Sequence, residues 1–214
     1  MTPHTSELHL QIDGVVLDGL LEMPAGGSGI VVFAHGSGSS RFSPRNRLVA
    51  RALNKRGMGT FLLDLLTSAE SDIYETRFDI DLLTARLSAA VRGLQKEPQY
   101  SREPLGLFGA STGAAAALRS AADLGGIGAV VSRGGRPDLA AEALERVTSP
   151  TLLVVGARDY DVLQLNRAAF KKLRCEKKLE IVPEATHLFE EPGTLEEVAR
   201  LAGVWFKRYL LPRR

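Results

Sequence analysis

A single cysteine, Cys175, leaves no partner for an internal disulfide. We read it as structural or incidental. Long apolar runs are missing as well. No stretch approaches the roughly 20 apolar residues that a membrane-spanning helix requires. Residues Met1 to Leu8 are polar and lack the apolar segment of a secretion signal. The expectation is a cytoplasmic protein that engages no membrane. Charge of one sign is scarce: 27 Lys and Arg face 25 Asp and Glu, a formal net charge of +2. That balance lacks the concentrated basic stripe of a nucleic-acid binder. One local excess exists at Arg41, Arg45, Arg47, Arg51, Lys55 and Arg56, where no acid intervenes. It reads as the solvated face of a helix and loop, from which one or two arginines near residue 35 could reach an anionic small molecule. Neither H-E-x-x-H nor G-x-x-x-x-G-K-[ST] occurs, so no metal and no cofactor are expected.

What is present is enough for one core. The chain has 214 residues, 44% of them apolar, which predicts a single domain over 1–214 with residues 1–6 as a frayed tail. Two alternating stretches, Glu7 to Ile12 and Val15 to Glu22, flank Asp13-Gly14, a hairpin signal. Apolar strands then alternate with amphipathic helices. Strands are expected at 29–34, 60–65, 105–108, 127–131, 150–156 and 179–182. Helices are expected at 44–57, 77–94, 138–147, 162–173 and 194–210, with 67–76 polar and irregular. The pattern predicts an α/β fold built on a mostly parallel, doubly wound sheet of about eight strands. Only a short helical stretch separates the strand at 127–131 from the one at 150–156, which leaves no room for a cap domain.

The most informative segment is Gly109-Ala110-Ser111-Thr112-Gly113. G-x-S-x-G between a strand and a helix is the context of a nucleophile elbow. A serine on so sharp a turn holds a strained backbone, and glycines two residues away on each side let neighbouring chain pack close. At this Gly and Ser content the pattern alone decides little, because chance produces it readily. Its weight comes from an acid and a histidine placed downstream. Serine is a poor nucleophile near neutral pH and needs a histidine to take its proton and a carboxylate to hold that histidine's tautomer. The strand ending at Gly156 is followed by Asp159 and Asp161, and the last strand by His187, the sole histidine after Ser111. Asp159 fits a G-x-x-D position just past the strand. Asp161 competes with it and reads as a helix cap. The order nucleophile, acid, histidine predicts a catalytic triad of Ser111, Asp159 and His187.

A Gly-rich loop, His35-Gly36-Ser37-Gly38-Ser39-Ser40, follows the strand at 29–34. It fails as a dinucleotide loop, because Arg41 stands where G-x-G-x-x-G needs its last glycine. It suits an oxyanion hole, with the backbone N–H of Ser37 and of Thr112 as donors. His35 is expected to shape this loop, with a substrate contact as the alternative. Arg41, Arg133 and Arg136 sit at strand ends on the edge where α/β folds bind ligands. They read either as substrate-binding residues, implying an anionic substrate, or as loop-forming residues.

With these residues placed, the chain resembles the dienelactone hydrolase branch of the α/β-hydrolase superfamily. The resemblance runs from about Glu7 to Leu210. It is carried by the elbow, by Phe33 to Arg41, by Val131 to Asp138 and by His187 to Pro192. It implies an α/β-hydrolase fold and a Ser-His-Asp site that cleaves a small ester, lactone or thioester without a cofactor. Dienelactone hydrolases carry cysteine at the nucleophile position. Ser111 departs from that pattern and points to general serine-esterase chemistry. The competing functions are acyl transfer or perhydrolysis on the same triad, and a non-catalytic binding protein that kept the fold. The expected partner is a small molecule, and nothing in the sequence points to an oligomeric state.

Overall fold

The computed structural model describes residues 4–211. Eight strands form one sheet: β1 (His4–Ile12), β2 (Val15–Met23), β3 (Ile30–Ala34), β4 (Gly59–Leu63), β5 (Leu105–Ala110), β6 (Ala129–Arg133), β7 (Thr151–Gly156) and β8 (Lys177–Val182). Their order is β1-β2-β4-β3-β5-β6-β7-β8. The first two form an antiparallel hairpin in which Ile12 pairs with Val15. Asp13 and Gly14 turn it with φ of 50° and 80°, the double positive φ of a type I′ turn. β2 pairs antiparallel with β4, and the other pairings are parallel. Residues 4–6 belong to β1 rather than to a frayed tail, and residues 1–3 lie outside the described range.

The central strands β3 to β7 are buried at every residue. Both faces of a parallel sheet are covered by helices, so its strands need no polar side. Helices α1 (Pro44–Asn54) and α6 (Thr194–Leu210) cover one face through Val49, Leu53, Val198 and Phe206. Helices α3 (Ile80–Lys96), α4 (Thr112–Leu124) and α5 (Tyr160–Lys172) cover the other, through Leu87, Val91 and the alanines of α4. The chain leaves β3 in one direction across the sheet, to β4, and leaves β5 in the other, to β6. The crevice between the ends of β3 and β5 is therefore the switch point of the winding, where such folds bind ligands.

Two segments depart from the sequence expectation. Residues 138–147 form no α-helix but two 3₁₀ turns, Pro137–Ala140 and Leu144–Arg146. Ala140, Ala143, Leu144 and Val147 are buried at helical spacing all the same. The i→i+3 pattern rises more per residue than an α-helix, so few residues reach from β6 to β7. The segment 67–76 is not irregular throughout. Thr67 and Glu70 close a capping box that starts a one-turn helix, α2 (Ser68–Asp72). The T-x-x-E pattern was legible in the sequence. Glu70 then pairs with the buried guanidinium of Arg86 on α3, which also donates to the Leu65 carbonyl at 3.0 Å. Arg86 holds the Glu70 carboxyl down at about 2, chiefly by hydrogen bonding. Among the described residues, no helix is long and apolar enough to cross a membrane.

Candidate active site

Ser111 stands between β5 and α4 with φ 51° and ψ −121°. Few non-glycine residues adopt a positive φ, and they persist only where surroundings enforce it. The enforcement is visible here. A side chain at Gly113 would collide with the carbonyl oxygens of Ala34 and His35, and one at Gly109 would collide with the backbone of Ala114. Both glycines of the motif are thus required by close approach of other chain. The loop after β6 adds a clamp: the Ser111 N–H donates to the Arg133 carbonyl at 3.2 Å, and the Arg136 N–H donates to the Ser111 carbonyl at 3.1 Å.

Asp159 follows β7 and occupies the N-cap position of α5, yet its side chain caps nothing. Its carboxylate instead accepts from His187 Nδ1 at 2.7 Å. That bond places the proton on Nδ1 and turns the lone pair of Nε2 toward Ser111, whose Oγ lies 3.3 Å away. Asp161 is exposed in the first turn of α5. The two loops carrying Asp159 and His187 are tied together. The Arg158 N–H donates to the Ala185 carbonyl at 2.9 Å, and Arg158 pairs with Glu184. Buried Phe189, at φ 56°, anchors the far side of the His187 loop.

The loop after β3 comes to the elbow from the other side of the crevice. The Ser37 N–H donates to the Thr112 hydroxyl at 2.9 Å. Both residues expected to form an oxyanion hole are therefore adjacent, with one of the two donors held by the other residue's side chain. His35 is buried, and backbone groups take both its ring nitrogens. Nε2 accepts from the Leu65 N–H at 3.1 Å, so Nδ1 carries the proton and donates to the Gly36 carbonyl at 3.0 Å. Burial lowers its pKa and keeps the ring neutral. These bonds give His35 a loop-shaping role and leave no ring nitrogen for a substrate.

The arginines separate sharply. Arg41 borders a neighbouring cavity of about 390 Å³, paired with Asp64 and, at 3.3 Å, with Asp18. Arg136 forms a two-pronged pair with Asp138 at 2.7–2.8 Å. Neither lines the cavity that contains Ser111. Arg133 lines the cavity of about 210 Å³ that contains Ser111 and His187, and Arg45, one member of the basic cluster, lines it too. No residue of 67–76 does so. That segment instead borders the neighbouring cavity beyond the His35 loop, so it does not shield the nucleophile. Among the described residues, no cluster of metal-binding side chains exists.

The profile of the dienelactone hydrolase family matches residues 17–207. The chain belongs to the dienelactone hydrolase family. A crystal structure of a dienelactone hydrolase from Anabaena variabilis is similar at 50% identity, with a TM-score of 0.95 and coverage of 98% of this chain and 99% of that one. A Pyrococcus furiosus esterase shares the fold at 18% identity, with a TM-score of 0.80 over 98% of this chain and 92% of its own. Curated relatives from two Mycobacterium tuberculosis strains, provisionally described as phosphoribosyl transferases, are 52% identical over 95% of this chain. The chain spans 46% of the length of each.

Proposed function

We propose that this chain is a serine hydrolase that cleaves a small carboxylic ester, lactone or thioester through an acyl-enzyme. The observation that carries the reading is the line Asp159–His187–Ser111, with hydrogen-bond separations of 2.7 and 3.3 Å at a strained elbow. In the first half-reaction, Ser111 Oγ attacks the carbonyl carbon and its proton passes to His187 Nε2. Asp159 stabilises the resulting imidazolium and keeps the ring in place. The carbonyl oxygen, now an oxyanion, takes the backbone N–H of Thr112 and that of Ser37. Collapse expels the alkoxide or thiolate, which leaves with the proton from His187. Water then repeats the sequence on the acyl-serine and restores Ser111.

The phosphoribosyl transferase description concerns proteins more than twice as long as the matched part, and the triad lies within that part. Ser111 is partly open to solvent and lacks a covering domain among the described residues, which favours water over another acyl acceptor. Fluorophosphonate labelling tests the reading. The wild type should label and Ser111→Ala should not. A panel of short p-nitrophenyl esters, lactones and thioesters, with and without added alcohol or peroxide, then separates hydrolysis from acyl transfer. Labelling that persists in Ser111→Ala overturns the assignment, and absent labelling of the folded wild type favours a binding protein.

A further inference from the structure

Arg133 is the last residue of β6 and is 7% exposed. Its Nε and Nη1 have no hydrogen-bond partner among the described residues, and its guanidinium lies over the Phe189 ring, at 5.9 Å. Three other buried or half-buried arginines meet carboxylates: Arg86 meets Glu70, Arg41 meets Asp64 and Arg136 meets Asp138. Arg133 meets another cation. Arg45, in the first turn of α1, lines the same cavity, and its own Nε is buried without a partner. Its outer nitrogen reaches the exposed Glu190 at 3.2 Å. Burial, with a smaller contribution from Arg45, holds the Arg133 pKa down to about 10. Two like charges converging on one cavity oppose folding, and packing alone does not retain them.

An anion placed between them resolves the conflict, and three features specify which anion. The two guanidinium groups approach from different walls, the end of β6 and the start of α1. Ser43, the N-cap of α1, also lines the cavity, so the positive end of that helix faces it. Ser37 and Ser39, from the loop after β3, line a third side. A carboxylate carries one charge and two coplanar oxygens, which a single guanidinium fork satisfies. A phosphate monoester carries a charge of about −1.5 to −2 at pH 7 and three terminal oxygens spread over a tetrahedron. Donors on three sides, with Arg133 unneutralised and Arg45 paired only with the exposed Glu190, match the second.

We propose that Arg45 and Arg133 form a subsite for a phosphate monoester group carried by the substrate, beside the acyl carbon that Ser111 attacks. This rests on the serine-hydrolase reading. The phosphate is not cleaved: it stays on the product and serves to position the ester. The substrate class is accordingly a phosphorylated small ester, lactone or thioester.

The test uses the full chain and inorganic phosphate as the probe, with sodium acetate and sodium chloride at matched ionic strength. In chloride the wild type labels with a neutral fluorophosphonate. Millimolar phosphate should slow that labelling several-fold and raise the melting temperature by a few degrees, whereas acetate should do neither. Arg45→Gln and Arg133→Met should each raise the phosphate concentration needed for either effect at least tenfold. Arg133→Met should also melt above the wild type in chloride, since it removes an unpaired buried charge. Arg45, being half-exposed, supplies a variant whose folding is not in question. Labelling and melting that ignore phosphate overturn the subsite, as does equal protection by acetate, or protection that survives both substitutions. A wild type that melts higher in phosphate but never labels overturns the hydrolase reading instead.

Discussion

The hydroxyl of Thr112 accepts the backbone N–H of Ser37 at 2.9 Å, across the crevice between the ends of β3 and β5. Ser37 and Gly38 are exposed, and Gly38 has φ 68°, so the loop has few other restraints at its tip. This bond holds the Ser37 N–H at the elbow, where the proposed mechanism needs it as an oxyanion donor. Replacing Thr112 by Val keeps the shape and removes the acceptor. We expect kcat to fall about tenfold, equivalent to about 1.4 kcal/mol, with KM little changed. Thr112→Ser should retain activity. Steady-state kinetics on a short p-nitrophenyl ester reads the split, and unchanged kcat in the Val variant would show that the Thr112 hydroxyl does not position the donor.

The two aspartates after β7 should behave very differently. Asp159 holds the His187 tautomer, so Asp159→Asn should lower kcat by about ten-thousand-fold while fold and melting temperature persist. Asp161 is exposed, and Asp159 rather than Asp161 is bonded to His187, so Asp161→Asn should stay within about twofold of the wild type. Comparable losses in the two variants would contradict the geometry.

Acid should loosen the segment at 67–72 through Glu70. Its folded-state pKa of about 2 lies below the ordinary 4.5, so the unfolded chain binds more protons between those values. The stabilisation is full above pH 4.5 and is lost as pH falls toward 2. Glu70→Gln leaves the Arg86 guanidinium buried and half-partnered. It should cost on the order of 1–3 kcal/mol near neutral pH, at the low end because Glu70 is partly exposed. Urea denaturation from pH 7 to 3 should show the gap between wild type and variant narrowing below pH 4.5. A gap that is independent of pH would assign the loss to packing rather than to ionisation.

The walls around Ser111 are short loops fixed to the sheet, and the segment at 67–72 borders a different cavity. No structural element of the described residues closes over the nucleophile. Turnover of a long-chain p-nitrophenyl ester should therefore rise smoothly with concentration. A jump at the micelle threshold would reveal a moving cover.

Which of these features were legible in the sequence depends on how locally each is encoded. Gly109, Ser111 and Gly113 announce the elbow because the steric demand acts within five residues. Asp159 and His187 were legible because each follows a strand whose apolar run marks its end. The fates of the arginines were not. Arg133 ends β6 and Arg136 stands three residues further on, yet Arg136 finds Asp138 and Arg133 finds no carboxylate. Arg41 is neutralised by residues of β2 and of the loop after β4, and only the sheet order brings those near it. The 3₁₀ turns at 137–146 were hidden for a related reason. Their sequence favours an α-helix, and the distance from β6 to β7 sets the pitch.

The order of strands also ties reactivity to folding kinetics. β3 lies between β4 and β5 in the sheet, although β5 comes 75 residues after it in register, Ile30 beside Leu105. Ser37 therefore meets Thr112 only after that distant strand pair has closed, a contact of long sequence separation whose loop closure is slow. His187 must then arrive beyond β8, the last strand among the described residues. On the proposed mechanism, a partly refolded chain should display the elbow without the histidine that activates it. The rate at which fluorophosphonate reactivity returns during refolding should thus report completion of the whole sheet, which makes Ser111 a built-in clock for the final folding step.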